Sequence, residues 1–127
     1  MKTAADFQSY LMKMELPYEE PHEGMWLVNG GAGENIVVTL APPLVAFRLK
    51  VMELPKGKRE ELYRTLLELN AHEMMHGAYG IEGENIVISD ALQMENCDFN
   101  EFAATIEDIG MAVSSHHAQL AKFREAV

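Results

Sequence analysis

The segment His72-Glu73-Met74-Met75-His76 sets two imidazoles four positions apart, with a carboxylate beside the first. On a helix, positions i and i+4 share a face, so both rings could ligate zinc while Glu73 took a proton from the metal-bound water. That would make a small zinc-dependent hydrolase. Such a site also needs a third protein ligand, and the extended metalloprotease pattern has glycine three positions beyond the second histidine, where this chain has Tyr79. Gly77 directly follows His76, so the spacing predicts a helix end here instead of a rigid mid-helix site. The competing expectation makes His72 and His76 helix C-terminal residues favoured by the local dipole, with Met74 and Met75 packed beneath. His116 or His117 could complete the zinc set if their helix crossed the end of the His72 helix. An imidazole in an apolar seam is more often a hydrogen-bonded core or interface group.

Other reactive residue types offer less. Cys97, the single cysteine, lies between Glu95 and Asp98, whose negative charge disfavours a thiolate. Gly30, Gly31 and Gly33 open a run of β-branched residues instead of a helix, no Lys-Ser or Lys-Thr follows, and Glu34 would repel a phosphate, so they read as a turn. The nine methionines are expected mainly in the core, with any exposed ones suited to an adaptable protein-binding surface.

The elements that position these residues can be read from periodicity. Thr3 and Asp6 can cap a helix over about 4–14 whose apolar face is Phe7, Leu11 and Met14. Pro17 and Pro21, with acidic residues and His22 around them, predict a polar connection. Met25-Trp26-Leu27-Val28 and Asn35-Ile36-Val37-Val38-Thr39-Leu40 form a hairpin across a glycine-rich turn. Pro42-Pro43 ends it, and Leu44 to Met52 gives a third extended run. Arg48 and Lys50 share one face of that run, and Phe47, Leu49 and Val51 the other. Leu62, Leu66 and Leu69 mark a second helix over about 58–71. Gly33-Glu34-Asn35-Ile36-Val37-Val38 is echoed by Gly83-Glu84-Asn85-Ile86-Val87-Ile88, which predicts another hairpin after Gly77-Ala78-Tyr79-Gly80-Ile81. Asp98 and Glu101 cap a final helix over about 99–125, with an apolar stripe from Phe102 through Ile106, Ile109, Val113, His116 and Leu120 to Phe123. At about 1.5 Å per residue that helix is roughly 40 Å long, enough to cover a sheet face. The predicted order is α-β-β-β-α-β-β-α, an α+β fold with an antiparallel sheet.

Composition narrows the partners. The chain has 127 residues, one domain's worth, and twenty acidic against ten basic side chains give a net charge of −10. Such a surface disfavours nucleic acid and anionic lipid, whose binding depends on Lys and Arg. No apolar run is long enough to span a bilayer, the first seven residues lack a signal-peptide core, and a lone cysteine allows no internal disulfide. A cytoplasmic setting is expected, with other proteins, small molecules or metals as possible ligands.

Leu66-Leu67-Glu68-Leu69-Asn70, then Gly77-Ala78-Tyr79-Gly80-Ile81, Asn85-Ile86-Val87-Ile88 and the capped helix from Asp98 resemble the type III secretion chaperone-like superfamily, which includes the CesT-type chaperones and the YbjN-like proteins. The resemblance covers about residues 58–125, and the first half agrees in element order and size. It implies a noncatalytic protein-binding domain, usually a homodimer, that holds an extended segment of another protein. It brings no cofactor and no catalytic residue. A YbjN-like regulatory adaptor is the alternative within the same fold. Binding of this kind uses a sheet edge and apolar pockets. The run from Leu44 to Met52 is a candidate edge, protected by Pro42, Pro43, Arg48 and Lys50, and its residues Leu44, Val45, Phe47, Leu49 and Val51 are candidate partner contacts. Equally, the run could be a central strand with the basic pair facing solvent.

Overall fold

Alternation of apolar and polar residues in the strands sorts side chains onto two faces of a sheet, and the amphipathic helices cover one of them. In the computed structural model, which describes residues 2–31 and 33–124, six strands form one antiparallel sheet. Chain order is α1 (Ala4–Met14), β1 (Tyr18–His22), β2 (Met25–Asn29), β3 (Asn35–Ala41), β4 (Leu44–Glu53), α2 (Arg59–His72), β5 (Ala78–Glu82), β6 (Asn85–Gln93), a 3-10 turn (Met94–Asn96) and α3 (Phe99–Arg124). The spatial order of strands is β1-β2-β3-β4-β6-β5. The α+β class and the antiparallel sheet agree with the sequence expectation. Residue 125, the expected end of the last helix, lies outside the described residues.

One element differs. Tyr18–His22, expected as a polar connection, is a strand at the sheet edge, so the order is α-β-β-β-β-α-β-β-α. An edge strand needs no alternating burial and can carry proline where no ladder hydrogen bond is made. Glu19, Glu20, Pro21 and His22 are all exposed, and the pairing with β2 slips between Glu19 and His22.

The open question about Leu44–Met52 is also decided. β4 pairs with β3 on one side and β6 on the other, so it is interior and not an edge. Its inward residues Val45, Phe47 and Leu49 are buried in the core with Trp26, Val38 and Ile88. An irregularity between Lys50 and Met52 resets the alternation: Val51 stays half-buried and Met52 takes the inward position. Arg48 and Lys50 face solvent on the opposite side.

α3 lies over β4, with α1 against α3 and α2 against β5. Phe102 of α3 joins the layers, its ring centroid 5.6 Å from Phe47 and 5.7 Å from Phe7. At the start of α1 the Thr3 N–H donates to the Asp6 carboxylate at 2.7 Å, the expected cap. α2 stops at His72. Five residues later Gly77 adopts φ +81°, and a Cβ there would lie 3.1 Å from the Ser89 carbonyl oxygen, so both conformation and space call for glycine before β5 starts.

Candidate functional site

The helix end decides the fate of the His-Glu-x-x-His string. His72 is the last residue of α2 and is exposed, and Glu73 has left helical geometry with φ −121°. His76 belongs to the following loop, so the two rings are not one helical turn apart on a common face. Both nitrogens of His76 are engaged by α3: Nδ1 with the Asp108 carboxylate and Nε2 with Glu101 at 3.1 Å. Among the described residues no group of three or more His, Cys, Asp and Glu side chains is placed to hold a metal ion. The geometry that zinc hydrolysis requires of His72, Glu73 and His76 is therefore not formed.

His116 is a core group. It is buried beneath the sheet end, and its Nδ1 lies 2.7 Å from the Tyr79 hydroxyl. The neutral phenol donates to Nδ1, which assigns the ring proton to Nε2. Burial pushes the Tyr79 phenol up to about 12. Cys97 is buried too, and burial first, then the carboxylates of Glu101 and Asp98, raise its thiol to about 11, which leaves a poor nucleophile.

The surface carries two grooves beside α3. A groove of about 840 Å³ runs along α3, walled by Met14 and Leu16 at the end of α1 and by Phe99, Ala103, Ala104 and Met111 of α3. Glu34 and Glu107 place carboxylates on it. A smaller cleft of about 260 Å³ opens beside it, lined by Met74, Met75, Met111, Ala112, Ser115 and His116. Both use methionine, whose unbranched, polarizable side chain adapts to differently shaped partners. The expectation that methionines mainly fill the core holds for Met52 and Met94, while Met12, Met75 and Met111 are exposed, Met75 at 85%. Sequence reasoning missed the groove because its two walls come from α1 and α3, far apart in the chain.

Of the five candidate partner contacts, Val45, Phe47 and Leu49 are each no more than 2% exposed and serve the core. Their burial follows from the interior position of β4. Leu44 is exposed at the β3–β4 turn, and Val51 keeps partial exposure at the bulge. At the β5 edge, α2 supplies a plug: the Asn70 side-chain amide donates to the Tyr79 carbonyl at 3.1 Å and accepts from the Tyr79 N–H at 2.7 Å. This satisfies backbone groups that an incoming strand would otherwise use.

The layout, an antiparallel sheet roofed on one face by a long helix, defines a class of small α+β proteins. The family model CesT_Tir_1 matches residues 1–126, and the chain belongs to that family. No curated protein matches the chain. Among solved structures, the ExoU–SpcU complex from the type III secretion system of Pseudomonas aeruginosa contains a chain similar to this one at TM-score 0.71 and 12% identity, covering 92% of this chain and 96% of that one. YbjN from E. coli is similar at TM-score 0.70 and 13% identity, with 93% of both chains covered. The HopA1–SchA chaperone–effector complex also matches, at TM-score 0.67 and 8% identity over 96% of this chain and 92% of that one. At these identities the likeness establishes a common fold, the secretion-chaperone-like fold expected from the sequence.

Proposed function

We propose that this chain is a noncatalytic, cytoplasmic chaperone domain that grips a segment of another protein, working as a homodimer. The observation that carries the reading is the open apolar groove along α3, set in a fold shared with a chain of the HopA1–SchA chaperone–effector complex. Met14 and the exposed Met111 line it, and the net charge of −10 keeps a loaded complex in solution. Leu44 and Val51 are the candidate contacts on β4 that retain surface, and they stand apart from the residues that line the groove. No helix among the described residues is long and apolar enough to cross a membrane.

A photo-crosslinking amino acid placed at Met111, with a second at Arg64 on the outer face of α2 as the control, tests the reading in cells. The expected result is one partner protein captured from position 111 and not from 64, with its affinity in purified form reduced roughly tenfold or more by Ala104→Glu, since a charge would be forced into an apolar contact. Equal capture from both positions, or an affinity unmoved by Ala104→Glu, would overturn it.

A further inference from the structure

The loop over residues 73–77 joins α2 to β5; Met74 packs partly against the core, and His76 makes the loop's side-chain hydrogen bonds to α3. His76 stands between two carboxylates two helical turns apart on α3, Nδ1 on Asp108 and Nε2 on Glu101. A neutral imidazole has one N–H and one bare nitrogen, so it can serve one carboxylate while turning a lone pair toward the other; an imidazolium has two donors and serves both. The arrangement is complete only with the proton on. Other titratable groups around the loop are His72 just before it at the end of α2, Glu73 within it, Asp90 of β6 beside Gly77, and His116 of α3, whose Nδ1 is taken by Tyr79.

We propose that this loop is a strap fastened by pH: protonated His76 clips it between Asp108 and Glu101, and loss of the proton frees it from α3 and uncovers the cleft lined by Met111, Ala112, Ser115 and His116. The protein-gripping reading supplies only the purpose of the device, since an uncovered cleft adds apolar surface for a client. The electrostatics agree in direction. Burial lowers the pKa of His76, but hydrogen bonds to Asp108 and Glu101 and the charges of both outweigh it, and the group sits above the usual 6.5. A pKa raised in the fastened state means that the clip holds fully below pH 6.5 and is lost as pH rises through the raised value.

Ring-proton NMR of the five histidines, with hydrogen-exchange protection of the amides over 73–77, tests this on the full chain without a partner. Wild type is compared with His76→Gln and Asp108→Asn across pH. The expected result is a titration above 6.5 that disappears in His76→Gln, and loop protection that falls by up to about tenfold per pH unit between 6.5 and the raised value. His76→Gln should show flat loop protection and Asp108→Asn a weakened pH dependence carried by Glu101 alone, and unchanged protection in α3 would certify their fold. Titration of His76 at or below 6.5, wild-type loop protection that ignores pH, or the same fall in well-folded His76→Gln would each overturn the strap. A failed search for a client leaves these readouts untouched.

Discussion

The Tyr79–His116 pair shows how one polar contact can sit inside an apolar seam. The His116 ring replaces a hydrocarbon in the α3 stripe, and the Tyr79 hydroxyl satisfies its inward nitrogen. Tyr79→Phe keeps the ring and removes the donor, so it should cost about 1–3 kcal/mol in urea unfolding because a buried acceptor is left without a partner. The phenol's pKa is about 12 folded against 10.0 in the open chain, so the contribution is complete below pH 10 and disappears as pH climbs toward 12; the Phe variant should lack that part of the alkaline decline. At this scale the sequence was partly legible. It singled out His76, Cys97 and His116, and the helix end at Gly77 argued against zinc. It could not pair His76 with Asp108 and Glu101, because those partners lie on an element whose placement depends on the whole sheet.

Helices were legible to within a residue or two because their apolar positions recur every three to four residues and their starts carry capping residues: Thr3 with Asp6, and Asp98, whose side chain accepts the Glu101 N–H at 2.8 Å. β1 was not legible, since a solvated edge strand containing proline has no periodic signal. The status of β4 was equally hidden, because its second neighbour, β6, joins it only across the intervening α2 and β5. The bulge after Lys50 had no signature in a run that alternates evenly on paper. For α3, Ile106 and Ile109 are buried in the layer facing the sheet. Ile106→Ala and Ile109→Ala should each cost about 2–5 kcal/mol in denaturant unfolding, and a loss near zero at both sites would contradict α3 as the roof of the core.

For the molecule as a whole, the homodimer reading is tested by analytical ultracentrifugation at micromolar concentration, where a species of twice the 14.2 kDa chain mass is expected and a strict monomer would refute it. The family and the fold class could be read from element order and the motifs of the second half, while the groove could not, being a product of how α1 meets α3. The β4–β6 ladder, which makes β4 interior, also governs assembly. During synthesis α1 and β1 to β4 leave the ribosome before the rest, and the seam that joins the strands to β5 and β6 closes only after the intervening helix has appeared, with α3 later still. Until then Phe47 and its apolar neighbours have no lid, so the nascent half is sticky and dependent on prompt completion of translation; a stalled ribosome would present an aggregation-prone fragment, not a small stable domain.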